Sequence, residues 1–236
     1  MNDWLPMDHE QSVIQIKSII ELLGDAPLDV VDVGCGDGRL LIPMAVAGHR
    51  VVGIDVDPTA MSACATQCSE AAIDAELFEG CLFDILPLSE PVDAIVCCGQ
   101  TFMLLHDVEE AVEALKVFKK SLRSGGVVIL DDIPGDLWPE VAQGSWANGV
   151  NEEGSLQFVW AENDAVFAIR EGEEVDVECW ELKEGDQRVR LWTMGAMQLA
   201  ARLADLSAPE VPVAGAILVM RAVCGLRRRI LGEELA

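Results

Sequence analysis

Val30-Val31-Asp32-Val33-Gly34-Cys35-Gly36-Asp37-Gly38-Arg39-Leu40-Leu41 is the stretch from which the fold is read. An apolar run of strand length ends in glycines at alternate positions, and helical periodicity resumes through Leu40, Leu41, Met44 and Ala45. The pattern predicts a strand, a tight turn and a helix. Glycines in such a turn accept positive φ and carry no Cβ. A ligand can therefore lie against backbone N–H groups at the positive end of the following helix.

Spacing narrows the ligand. A dinucleotide fingerprint asks for a glycine three residues after the second one, where the pyrophosphate sits; here that place holds Arg39. The pattern is instead acidic-x-Gly-x-Gly-x-Gly, with Asp32 two residues before Gly34. A carboxylate there repels a pyrophosphate and suits a ligand that carries an ammonium group. A second acid follows in order: Val51-Val52-Gly53-Ile54-Asp55 is a short apolar strand ending 21 residues after Gly34. An acid about 20 residues beyond the glycines of a βαβ nucleotide fold can accept from both ribose hydroxyls. These residues resemble motif I of the class I S-adenosylmethionine-dependent methyltransferases.

The resemblance implies that Asp32, Gly34, Cys35, Gly36 and Gly38 hold the methionine part of S-adenosylmethionine and that Asp55 takes the ribose. Gly80-Cys81-Leu82-Phe83-Asp84 is similar to the family's third motif, which borders adenine. Cys81 stands where the family commonly has an aspartate, so adenine is expected against the backbone of Leu82 and Phe83 and the side chain of Val56. Cys97, at the end of the fourth strand, is expected to offer backbone to the methionine amino group.

At 236 residues the chain can bury one substantial core, with room for a small appendage. No apolar run of membrane-spanning length occurs, and Met1-Asn2-Asp3-Trp4-Leu5-Pro6 lacks the features of a signal peptide, so a cytoplasmic protein without a membrane partner is expected. Eight cysteines without a CxxC pair read as small buried thiols in a reduced compartment; Cys64 and Cys68 share a helix face but have no histidine nearby to complete a metal site. The net charge of −25 repels phosphate backbones and argues against nucleic acid. Arg227-Arg228-Arg229 reads as a solvated basic tail.

Along the chain, residues 10–23 place Val13, Ile16, Ile19, Ile20 and Leu23 at helical spacing, with Asp8 and Gln11 as a capping box. In the family a leading helix often lies over the cofactor cleft; covering the sheet is its plainer role. A helix to Ala47, a strand to Asp55, a helix from Pro58 to about Ala72 and a strand from Ala75 to Glu79 follow. Next come a strand from Val92 to Cys98, a helix from about Val108 to Leu122, a turn at Ser124-Gly125-Gly126 and a strand from Val127 to Asp131. Short alternation of apolar strands with helices calls for an α/β fold, a parallel sheet covered on both faces. A helix from Met194 to Leu206 precedes two strands, Glu210 to Val213 and Ala216 to Met220. Pro212 suits an edge strand. The resemblance, which covers residues 28–132, implies a three-layer Rossmann-like seven-stranded mixed sheet of order 3-2-1-4-5-7-6 with strand 7 antiparallel.

The core is thus expected over 1–134 and 193–236, with an insertion over 135–192 between strands 5 and 6 that carries five of the six tryptophans. Gly135 to Gly154 reads as loop. Leu156-Phe158-Trp160, Phe167-Ile169, Val175-Val177-Cys179 and Val189-Leu191 alternate with polar residues and predict a small antiparallel β cap, a lid or the surface of a homodimer. Twelve acids lie between Asn151 and Asp186. Strand alternation would set Trp180 and Leu182 beside Asp176 and Glu178, a wall suited to an amine.

Methyl transfer needs the acceptor held in line and water excluded, and a base only where the acceptor must first lose a proton. His106, just after the fourth strand, is the one candidate base, with an ordinary loop histidine as the alternative. The Asn/Asp-Pro-Pro-aromatic signature of nucleic-acid amino methylation is replaced by Cys98-Gly99-Gln100-Thr101. Asp131 and Asp132 are similar to the acidic end of metal-dependent catechol methylation, whose pattern also wants an aspartate ending strand four; cysteines stand there, so no metal is expected. The reading is methyl transfer from S-adenosylmethionine to a small-molecule acceptor whose identity the sequence does not name, an amine being one candidate. An NAD-dependent oxidoreductase and a non-catalytic S-adenosylmethionine-binding protein are the alternatives.

Overall fold

A computed structural model describes residues 9–132, 138–144 and 147–223. Its main sheet is built from β1 (Asp29–Val33), β2 (Arg50–Asp55), β3 (Glu76–Glu79), β4 (Val92–Cys97), β5 (Leu122–Asp131), β10 (Glu210–Val213) and β11 (Ile217–Arg221), in the order β10-β11-β5-β4-β1-β2-β3. Strands β1 to β5 pair in parallel; β11 runs antiparallel between β5 and β10. This is the order expected for the class I methyltransferase sheet. Pro212 lies on β10, the edge, where no ladder donor is missed.

One face of the sheet is covered by α1 (His9–Leu23), α2 (Leu41–Val46) and α3 (Pro58–Glu70), through a core that includes Ile19, Val30, Leu41, Met44 and Val96. The other is covered by α4 (Leu82–Ile85), α5 (Val108–Ser121) and α7 (Met194–Leu203), through Ile95, Leu115, Phe118, Val128 and Met197. Burial on both faces is why β1 and β4 read as nearly unbroken apolar runs. The caps are local. Asp57 accepts from the Thr59 N–H (2.8 Å) beside Pro58, and Asp107 from the Glu110 N–H (2.9 Å). Asp8, the expected cap of α1, lies outside the described residues. Ser124-Gly125-Gly126 is not a turn before the fifth strand: β5 begins at Leu122, directly after α5, and absorbs the glycines as an irregularity in its pairing with β4.

A separate four-stranded antiparallel sheet is made by β6 (Gly149–Val150), β7 (Leu156–Trp160), β8 (Val166–Glu171) and β9 (Val189–Arg190), after the short helix α6 (Trp138–Ala142). Three of its strands fall where alternation placed them. Val175-Val177-Cys179 is not the fourth. The chain there gives its carbonyls to buried side chains instead of a ladder: Asp176 O and Cys179 O accept from Gln157 Nε2 (2.7 and 3.0 Å), and Cys179 O also accepts from Arg170 Nη1 (2.8 Å). The place is taken by Gly149–Val150, in the stretch read as loop. Without a strand at 175–182, the expected wall of Trp180 and Leu182 with Asp176 and Glu178 is not formed; Asp176 pairs with Lys183 (2.6 Å).

Met103, Phe167, Val189 and Leu191 form the core beneath the small sheet. Because Met103 belongs to the 3-10 turn Thr101–Leu104 that follows β4, the small sheet is seated on the carboxyl end of the main one. Arg190 fastens it, donating from Nε to His106 O (2.6 Å) and pairing bidentately with Asp164 (2.6 and 2.7 Å). Among the described residues no helix is long and apolar enough to cross a membrane.

Candidate functional site

The glycine turn joins β1 to α2 at the carboxyl end of the sheet. Gly34 and Cys35 both donate to Ile54 O (2.7 and 3.1 Å), which pins the turn to the end of β2. Two of its glycines are required for different reasons. At Gly34 (φ 72°) a Cβ would overlap the Thr101 side chain, whereas at Gly36 (φ 55°) a Cβ would meet nothing within 4 Å. The turn is therefore closed beneath and open above, the shape of a backbone cradle.

Asp55 ends β2 and is buried, with each oxygen engaged: Oδ2 accepts from the Gly36 N–H (2.8 Å) and Oδ1 from the Asp57 N–H (2.9 Å). Each oxygen keeps a second lone pair. Gly80 donates to Asp55 O (2.8 Å), bringing the start of α4, with Cys81, Leu82 and Phe83, beside this carboxylate. The first N–H groups of a helix have no acceptor within it, so Leu82 and Phe83 present donors. Val56 is 67% exposed on the other side of Asp55.

Asp32 lies between Gly53 and Val96 in the register of the central strands and is 1% exposed. Among the described residues its Oδ2 is buried without a hydrogen-bond partner, and the Leu41 N–H at the start of α2 is near enough to favour the charged carboxylate. Burial pushes this carboxyl up to about 7; Arg39's charge and the Leu41 N–H pull it down, and the like charge of Asp55 pushes with the burial. A buried carboxylate oxygen with no donor is costly unless a ligand brings one, so the orphan fits a group bearing an ammonium charge. Cys97, one residue beyond Asp32's neighbour Val96, is fully buried; burial raises its thiol and that of Cys98, leaving both neutral.

The structure thus gathers Asp32, the glycine turn, Asp55, Val56, the 81–83 segment and Cys97 at one end of the sheet. His106 lies further along, with its carbonyl bound to Arg190 at the root of the small sheet.

Sequence reasoning did not find the polar junction beside this site. Gln15 of α1 accepts from Arg39 Nη2 at Oε1 (2.7 Å) and donates from Nε2 to Asp131 Oδ1 (2.7 Å). Asp131 in turn accepts from the Gly99 and Gln100 N–H groups (3.0 and 2.8 Å) at the exit of β4. The available signal was a polar residue on the buried stripe of α1. Ser12 and Gln15 continue the line of Ile16, Ile19 and Leu23, while Val13, counted as apolar face, is 49% exposed.

Comparison with known proteins agrees with this geometry. Residues 30–126 match the family described as a methyltransferase domain. The cypemycin N-terminal methyltransferase of a Streptomyces species is 32% identical over 108 residues, covering 44% of this chain and 43% of that protein. The ubiquinone biosynthesis O-methyltransferase of Pseudomonas savastanoi is 25% identical over 126 residues, 53% of each. The chain thus spans about half the length of these curated relatives. An S-adenosylmethionine-dependent methyltransferase structure from Clostridium acetobutylicum superposes with a TM-score of 0.68 over 93% of this chain and 94% of that one, at 14% identity, a likeness of fold.

Proposed function

We propose that this chain is a class I S-adenosylmethionine-dependent methyltransferase that methylates a small-molecule acceptor, with an amine as one candidate class. One observation carries the reading: the unpartnered buried oxygen of Asp32 beside a glycine turn that is open above Gly36. Bound S-adenosylmethionine supplies an electrophilic methyl on a positively charged sulfur. Asp32, Gly34, Cys35, Gly36 and Gly38 hold its methionine part and Cys97 offers backbone to the amino group. Asp55 accepts from the ribose, and Val56, Cys81, Leu82 and Phe83 border adenine. The protein's contribution is to align the acceptor and keep water out, which needs no dedicated base when the acceptor is a neutral amine. His106 is a base only for an acceptor that must first lose a proton.

The small sheet of β6 to β9 acts as the lid. The packing of Phe167, Val189 and Leu191 on Met103 supports this role, because it seats the small sheet at the end of β4 where an acceptor must approach. With the wall at 176–182 not formed, the amine class is supported only by the net charge of −25, whose field concentrates cations and repels anions. Arg39 in the place of the third dinucleotide glycine argues against an NAD-dependent oxidoreductase.

Titration calorimetry with S-adenosylmethionine and with NAD tests the cofactor. Transfer of labelled methyl to matched panels of amines and carboxylates tests the acceptor. Binding of the sulfonium compound alone, with label appearing in amines, is the expected outcome. NAD binding overturns the cofactor, and label confined to carboxylates overturns the acceptor class.

A further inference from the structure

We propose that Gln15 is a positioning residue for the cofactor cleft, joining α1 to both walls of the glycine turn through Arg39 on one side and Asp131 on the other. The proposal rests on the reading of the turn as the cofactor's cradle and adds a residue outside the contacts assigned to it.

Gln15 is 1% exposed and uses both ends of its amide. Its orientation follows from chemistry. A guanidinium only donates, so Oε1 must face Arg39, and a carboxylate accepts, so Nε2 faces Asp131. Nε2 also donates to Ala216 O (3.1 Å), in the turn between β10 and β11.

Two routes lead from this amide to the cradle. The short one passes through Arg39, the residue after Gly38, whose Nη1 also donates to Ser12 Oγ (3.2 Å). The longer one passes through Asp131, which binds the consecutive N–H groups of Gly99 and Gln100. Gln100 sits at φ 66°, a conformation that a non-glycine residue keeps only when its surroundings impose it. That bend aims Thr101 back: its Oγ1 donates to Cys98 O (3.0 Å), and its side chain fills the space under Gly34. Arg39 also comes within 3.4 Å of a Cβ built on Gly99, so the routes meet there. An apolar side chain at position 15 would leave the buried Asp131 one donor short, where water does not replace it, and the half-buried Arg39 one acceptor short.

The test is Gln15→Met, close in size and without polar atoms. Calorimetry measures S-adenosylmethionine affinity, hydrogen exchange reads the Gly99 and Gln100 amides without cofactor, and steady-state turnover is compared at low and saturating cofactor. The expected result is about tenfold weaker cofactor binding, faster exchange at those two amides, and turnover near the parent's at saturation. A lower melting temperature with unchanged affinity and unchanged exchange at Gly99 and Gln100 would reduce Gln15 to an anchor of α1 and overturn the proposal. If Gln15→Met fails to fold, Gln15→Glu decides. It keeps the acceptor for Arg39 and loses the donor to Asp131, so exchange must rise at Gly99 and Gln100, and parent-like exchange refutes the positioning role. Failure of the parent protein to bind S-adenosylmethionine would instead sink the reading of the cradle, while the exchange comparison would still judge the junction.

Discussion

Asp32 and Arg170 are both charges removed from water, and the fold treats them in opposite ways. The Arg170 side chain is 2% exposed, and every one of its N–H donors has an acceptor. Nε and Nη2 grip Asp186 (2.8 Å each), Nη1 reaches Cys179 O (2.8 Å) and Gln157 Oε1 (3.3 Å), and Nη2 also reaches Glu181 O (2.7 Å). The guanidinium beside it holds the Asp186 carboxyl below its usual range. Among the described residues, one oxygen of Asp32 has no hydrogen-bond partner. A closed set of partners marks a charge that holds the fold together, whereas the incomplete set at Asp32, beside the glycine turn, is what the proposed ligand would complete.

Breaking the closed set has the largest expected effect. Arg170→Met leaves the buried Asp186 carboxylate without its counter-charge and takes a donor from each of three carbonyl oxygens, and should cost about 3–5 kcal/mol in denaturant unfolding. Exchange should rise across residues 172–188 while S-adenosylmethionine still binds. A loss below about 1 kcal/mol would mean that the acidic segment is held by something other than this cage. Asp55→Ala comes next. It frees the Gly36 N–H and removes the proposed ribose acceptor, so cofactor affinity should fall about a hundredfold by calorimetry. Unchanged affinity would contradict the role given to Asp55.

The same contrast explains what the sequence made legible. The glycine spacing, Asp32, Asp55 and the apolar strands are short-range signals, and the order of the seven strands followed once they were recognised. The Arg170 cage is long-range: Gln157, Arg170 and Asp186 are separated by strands and turns, and nothing in their spacing joins them. Alternation at Val175-Val177-Cys179 suggested a strand because periodicity cannot register that the local carbonyls are taken by side chains. Asp131 was visible but weighed only as a metal ligand; its partners are the backbone of Gly99 and Gln100 and a glutamine 116 residues away. Side-chain to backbone bonds of that kind leave no periodic trace.

Asp32→Asn sharpens the comparison from the open side. The folded carboxyl stands at about 7 against an ordinary 3.8, so between those values the folded protein keeps a proton that the unfolded chain has lost. Stability of the cofactor-free protein therefore falls as pH rises through that window, and the penalty is complete above it. The asparagine variant should lack this decline and outlast the parent in thermal unfolding near about pH 8, with the difference fading near about pH 4. Binding runs the other way. A cationic ligand favours the ionised form, so parental affinity should climb with pH through about 7, and the variant should stay flat and about tenfold weaker at the alkaline end. Parallel pH profiles for the two proteins would remove Asp32 from the site.

Lys183 offers the smallest effect and the strictest control. Its Nζ lies 2.6 Å from Asp176 Oδ2, as short a contact as any in the Arg170 cage, but the two side chains are 44% and 40% exposed. Water screens the pair and competes for both partners, so its distance says little about its contribution. Lys183→Ala should leave the melting temperature within about 1 °C of the parent and the exchange of residues 172–188 unaltered, in the very segment that Arg170→Met loosens. If the lysine variant destabilised that segment as much as the arginine variant did, proximity would outweigh burial and complete pairing, and the distinction between the closed charge and the open one would fail.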